Sequence, residues 1–161
     1  MKAIALQICL IGFMLQDAEN LHQTESDGIN WLSFEELDEK IDQEPKKVLI
    51  YFTTSWCTYC RKMDKEVFTN AQVIKAINQD YYAVKFDAES ENEVIFDGVT
   101  FRNLSPKNLR SRGIHELALL LAQNQGQFAP PTFIFLDENF EVTSRHFEYL
   151  HSRRLIEVLG N

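Results

Sequence analysis

The chain has 161 residues, 45% of them hydrophobic, which is enough to bury one core without cross-links, so one globular domain is expected. Sixteen Lys and Arg against 24 Asp and Glu leave a formal charge of −8, which argues against nucleic-acid binding. The sequence contains no repeat, no low-complexity tract and no internal stretch long enough to span a membrane.

Met1 to Ala18 reads as a secretory signal: Lys2 supplies the positive start, and Ala3 to Leu15 is mostly apolar despite Gln7. The run is short for a membrane span. Cys9 lies inside it behind the large Ile8, a poor lipoprotein pattern, and is taken as part of the discarded signal. A buried N-terminal helix of a cytosolic protein is the competing reading. Export would place the remaining two cysteines where disulfides persist. Residues 19–30 read as a flexible lead-in to a domain over 31–161.

Ser33-Phe34-Glu35-Glu36 is a capping box, and Phe34, Leu37 and Ile41 share the helical face that follows. Pro45 ends that helix. Val48 to Phe52 is an unbroken apolar run, which suits a central strand covered on both faces. Met63 and Val67 then sit at helical spacing. Asn70 is a cap for a second helix carrying Val73, Ile74 and Ile77. Tyr81 to Phe86 is a further strand, and helix, strand, helix, strand argues for an α/β sandwich.

Asp97-Gly98 between Val94-Ile95-Phe96 and Val99-Thr100-Phe101 is a strong hairpin signal. Ser105-Pro106 opens a turn or short helix. Ile114, Leu117 and Leu121 predict a helix after Gly113 that ends before Gly126. Pro131 to Leu136 and Phe140 to Phe147 read as paired strands around Asp137-Glu138-Asn139. Leu150 to Leu159 closes the chain as a helix stopped by Gly160.

The chemistry sits in Trp56-Cys57-Thr58-Tyr59-Cys60, between the first strand and the next helix. Two intervening residues let both sulfurs meet across one helical turn. The first sulfur lies where unpaired N–H groups and the positive end of the helix dipole favour a thiolate. Cys57 is therefore read as the attacking thiol, exposed and easily ionised, and Cys60 as the resolving one. Two other uses of the pair compete. A structural disulfide across so short a loop constrains the unfolded chain by only about 2 kcal/mol. A zinc half-site lacks a second cysteine pair. His22, His115, His146 and His151 show no ligand spacing, and His115 is read as a surface residue of its helix. No metal is expected.

Tyr51 to Cys60, Lys85-Phe86-Asp87 and Pro130-Pro131-Thr132-Phe133-Ile134-Phe135-Leu136-Asp137 together resemble the thioredoxin superfamily. Trp56 to Asp80 is most similar to the C-terminal domain of the bacterial membrane thiol:disulfide interchange protein, and the whole resembles small secreted bacterial thioredoxin-like proteins. The resemblance covers Asn30 to Gly160. It implies a central mixed sheet with helices on both faces, a cis bond before Pro131 and a redox-active Cys57–Cys60 disulfide. Substrate would then lie along Trp56, Pro130, Pro131 and Thr132. Pro130 stands where the family offers a backbone N–H to its substrate, and proline has none; that is one hydrogen bond of about 0.5–1.5 kcal/mol lost.

The family's buried Asp, six residues before the first cysteine, is replaced by Tyr51. Asp64, one turn after Cys60, occupies a position that is acidic in the interchange protein and is the candidate proton acceptor. Lys85 matches a family lysine near the site, with a solvated strand-end cation as the alternative. Residues 91–127 form an insertion that either covers the site or merely extends the fold. The implied activity is thiol–disulfide exchange, in the reducing direction, in the periplasm or outside the cell. It needs no organic cofactor. The partners would be protein disulfides and a membrane electron donor, and the chain is expected to be a monomer. The alternative is a partner-binding module of the same fold that exchanges thiols slowly.

Overall fold

The computed structural model describes residues 27–104, 113–122 and 127–160. In chain order its elements are β1 (Trp31–Leu32), α1 (Phe34–Gln43), β2 (Lys47–Thr53), α2 (Thr58–Glu66), α3 (Ala71–Asp80), β3 (Tyr81–Asp87), β4 (Val94–Phe96), β5 (Val99–Phe101), α4 (Glu116–Ala122), β6 (Thr132–Leu136), β7 (Val142–His146) and α5 (Ser152–Leu159).

Among the described residues, five strands form a mixed sheet in the order β1-β3-β2-β6-β7. β2 runs parallel to β3 and antiparallel to β6, so its backbone is paired along both edges. Its side chains alternate between two cores. Leu49 and Tyr51 join Cys57, Cys60, Met63, Val73 and Leu155. Val48, Ile50 and Phe52 join Phe34, Leu37, Leu117 and Ala118. Helices α2, α3 and α5 therefore cover one face, and α1 and α4 cover the other. Each fully buried large side chain contributes about 1.5–3 kcal/mol, which is why so apolar a run takes the centre of the sheet. This is the α/β architecture that the sequence predicts.

The caps follow the sequence closely. Ser33 Oγ accepts the Glu36 N–H at 3.1 Å, and Glu36 accepts the Ser33 N–H at 2.7 Å, completing the capping box. Asn70 Oδ1 accepts the N–H groups of Gln72 and Val73. The two-residue turn Asp97-Gly98 closes β4 on β5 with φ of 50° and 67°, the positive values a tight hairpin needs. That hairpin is fastened to α1: Ile95 N–H donates to Glu35, and Asp97 N–H to Asp38.

Five expectations change. β7 starts at Val142 rather than Phe140, which sits in the turn at φ 63°. β1 carries no strand signal in the sequence; its two residues pair with Ala83 and Val84. α4 starts at Glu116 rather than Ile114, because His115 forms the helix entrance and its Nδ1 accepts the Leu117 N–H. His115 is accordingly buried, with its ring against Phe86, and is not a surface residue. α5 starts at Ser152, capped by His151, and Gly160 ends it at φ −84°, where a glycine's freedom is unused. The turn at Ser105-Pro106, residues 123–126, where the α4 helix was expected to end, and Met1 to Ala18 lie outside the described residues.

Candidate active site

The loop after β2 delivers Cys57 to the head of α2. Its own N–H is held by Thr54 O at 3.2 Å. Arg61 clamps the loop from above, donating to Ser55 O at 3.0 Å and Thr58 Oγ1 at 3.1 Å. Cys57 is the N-cap of α2, and its Sγ accepts the Cys60 N–H at 3.0 Å. A sulfur in that position receives a backbone N–H and the positive end of the helix dipole, both of which favour negative charge on it.

Cys57 and Cys60 are joined as a disulfide, with Cα atoms 5.2 Å apart. In this oxidised form the first sulfur is not exposed as expected: Cys57 is 3% accessible and Cys60 1%. The capping role turns Cys57 Sγ inward, toward the first helical turn and the core. What stands exposed around the pair is aromatic, with Trp56 at 59% and Tyr59 at 60%. The Trp56 indole N–H donates to Glu89 Oε1 at 2.8 Å, and Tyr59 lies against Tyr149 with ring centroids 5.9 Å apart.

Asp64 follows Cys60 by one turn of α2. Its carboxylate is paired with Lys85 Nζ at 2.6 Å, both side chains being about one-third exposed. Lys85 is opposite Tyr51 in the β2–β3 register, and its Nζ lies 5.9 Å from the Tyr51 ring centre. The family lysine and the candidate acceptor are thus one ion pair.

Beneath them, Tyr51 stacks on Phe133 at 4.8 Å and meets Phe68 edge-on at 5.1 Å. Its hydroxyl is buried without a hydrogen-bond partner. Burial, and secondarily the charge of Asp64, pushes its pKa well above the ordinary phenol value. Tyr51 therefore stays protonated throughout the physiological range.

The Pro130-Pro131 bond is cis, as the resemblance implies. Because β6 is antiparallel to β2 and Thr132 pairs with Phe52, this turn lies at the cysteine end of the sheet. Pro131 is buried and Pro130 partly exposed. Thr132 is also buried, and its hydroxyl donates to Ala129 O at 2.7 Å, so its side chain closes the turn rather than facing a substrate.

Two pairings of the site escaped the sequence, although Lys85 itself is placed near the site by the resemblance. Glu89 is 33 residues from Trp56, and Lys85 is 21 from Asp64. Only the strand register brings Lys85 in, and no local pattern marks Glu89. Among the described residues, no group of three or more His, Cys, Asp or Glu is placed to hold a metal. A cleft of about 450 Å³ lined by Lys47, Tyr81, His146 and Arg154 opens toward the other end of the sheet, where β2 and β3 begin.

The arrangement has the spacing, the helix-end sulfur and the bonded pair that thiol–disulfide exchange requires. Comparison with known proteins agrees. The family model described as a thioredoxin-like domain matches residues 34–160. The thiol:disulfide interchange protein DsbD of Campylobacter jejuni is 35% identical over 75 residues, which are 46% of this chain and 13% of that protein. A putative disulphide-isomerase from Bacteroides thetaiotaomicron superposes with a TM-score of 0.55 at 26% identity, over 81% of this chain and 89% of that one. The DsbH oxidoreductase superposes with a TM-score of 0.56 at 22% identity, over 88% and 90%. No helix among the described residues is long and apolar enough to cross a membrane.

Proposed function

Since the chain belongs to the thioredoxin-like family, we propose that it is a thiol–disulfide oxidoreductase that reduces protein disulfides in the cell envelope. The observation that carries this is the Cys57–Cys60 disulfide with its first sulfur at the N-terminus of α2. The reduced Cys57 thiolate attacks a substrate disulfide and forms a mixed disulfide, and one substrate sulfur leaves as thiolate. Cys60 then loses its proton to Asp64, directly or through water, and attacks Cys57 Sγ. The second substrate sulfur leaves, takes up a proton, and the Cys57–Cys60 bond is restored. Two electrons pass to the substrate, and a dithiol donor must return them.

The likeness to an interchange protein supports a membrane-bound donor as that source. The reading takes the location as exported, with Met1 to Ala18 as the signal, residues 19–30 as lead-in and 31–161 as the working domain of a monomer. Trp56 and Pro130 would flank the bound substrate, over the turn that Pro131 and Thr132 build. The burial of Cys57 and the missing N–H of Pro130 favour a second reading, a binding module that exchanges slowly.

An insulin-reduction assay separates the two, with Cys57→Ser and Cys60→Ser variants as references. Wild-type turnover well above both supports the enzyme; turnover no better than theirs leaves only the binding module. Cys60→Ala should trap partners as mixed disulfides through Cys57. Trapping through Cys60 in the Cys57→Ala variant instead would reverse the roles.

A further inference from the structure

Cys57 is 3% accessible, so a substrate disulfide reaches it by lying on the side chains around it. Recognition by strand pairing is weakened here, because Pro130 offers no N–H to an extended substrate. The surface beside the cysteines supplies a different contact. Among the described residues two aromatic side chains stand exposed, Trp56 directly before Cys57 and Tyr59 between the two cysteines. The Trp56 indole is tied to Glu89 at 2.8 Å. Tyr59 rests on Tyr149, a partly exposed ring from the loop between β7 and α5, with centroids 5.9 Å apart and planes tilted by 44°. Tyr149 is held in place by α2. Its hydroxyl donates to Glu66 Oε2 at 3.4 Å, and Lys62 Nζ stands 5.0 Å from its ring centre. Lys62 and Glu66 also pair with each other at 3.8 Å, so the charges beside the two rings offset one another. Neither sign of charge on a substrate has a net partner there, and a cation cannot take the Tyr149 face that Lys62 already covers. What remains is an uncharged aromatic platform, one of whose rings grows from between the cysteines.

We propose that Tyr59 and Tyr149 form a substrate subsite that selects disulfides with an aromatic residue next to the attacked cysteine. This rests on the oxidoreductase reading and names the substrate class of the same site. Neither ring takes part in the exchange. The substrate bond is reduced to two thiols as Cys57 and Cys60 close their own, whatever residue stands beside it. A third ring laid on the platform in an offset or edge-on arrangement gains attraction beyond the area it covers. That contact forms as the substrate docks, so it speeds capture of aromatic substrates over others.

The test uses two symmetric peptide disulfides, each made of two copies of a single-cysteine peptide with Phe or with Gly on both sides of the cysteine. The second-order rate constant with the reduced protein is divided by that with dithiothreitol, which removes differences in intrinsic reactivity. Wild type should then favour the Phe peptide about fivefold, the size of one ring-on-ring contact. Tyr149→Ala should bring the ratio close to one, and Tyr149→Phe, which keeps the ring, should keep it. Taking the ratio within each variant cancels any general change in folding or thiol reactivity. Should Tyr149→Ala not fold, Tyr59→Ala at its exposed position is read in the same way and should lose the preference. A wild-type ratio of one, a ratio unchanged in the alanine variants, or a faster rate for a peptide with Arg or Glu in place of Phe overturns the proposal and leaves the exchange activity standing. A wild type that opens neither peptide faster than Cys57→Ser removes the oxidoreductase reading, and the subsite with it.

Discussion

Asp64 is the residue to which the proposed exchange gives the Cys60 proton, and its environment makes a specific demand. The carboxylate is held by Lys85 at 2.6 Å, so it has a fixed position one turn from Cys60. General-base assistance is worth about 100-fold at the low end of its usual range. Asp64→Asn should therefore slow decay of the mixed disulfide about 100-fold in single-turnover experiments, and leave its formation by Cys57 unchanged. Resolution at the wild-type rate would take Asp64 out of the mechanism. Lys85→Met should slow resolution less, because it loosens the carboxylate without removing it. Local spacing made Cys57 and Cys60 legible, and the family resemblance pointed to Asp64, one turn further along the helix, and to Pro131. The bond from Lys85 to Asp64 and the role of Glu89 were not legible, because a hydrogen bond across 21 or 33 residues leaves no pattern in the intervening chain.

Elements that begin or end on their own side chains were also legible, and elements fixed by a distant neighbour were not. The boxes at Ser33 and Asn70 are satisfied within a few residues, so the sequence carries the whole instruction. β1 exists because β3 offers an unpaired edge, and its two residues hold no strand signal of their own. Asn70→Ala should cost about 1 kcal/mol in urea unfolding through loss of the α3 cap, with thiol reactivity unchanged.

His115 belongs to the second kind. Its Nδ1 accepts from Leu117 N–H, so its Nε2–H donates to Asn92 O at 3.2 Å, and both bonds need the neutral ring. Burial lowers its pKa, against the raising effects of that backbone carbonyl and of Glu116. A histidine whose folded pKa is depressed contributes nothing to pH dependence above its unfolded value near 6.5. Below that pH the unfolded chain takes up a proton that the folded one refuses, and stability falls until the lower folded pKa is passed. His146 shifts in the same direction by burial and Arg154. The melting temperature should thus drop as the pH falls below about 6.5, by less in His115→Gln than in wild type. An identical slope in the variant would mean that His115 does not carry the effect.

For the whole molecule the question is whether the disulfide holds the fold together or rides on it. The cross-link closes a loop of four residues, and chain entropy alone gives it about 2 kcal/mol. The two cores on either face of β2 bury 30 hydrophobic side chains among the described residues, each of the large ones contributing about as much as the cross-link does. The fold should therefore survive reduction. Urea unfolding of the reduced protein should remain one cooperative transition, with the slope of the oxidised protein and a stability lower by no more than about 2 kcal/mol. By the thermodynamic cycle, that difference is also how much harder the disulfide is to reduce in the folded than in the unfolded chain, about 40 mV at most. A protein that lost its cooperative transition on reduction would be using the pair as a staple, and a staple that must stay closed cannot cycle through the open dithiol that exchange requires.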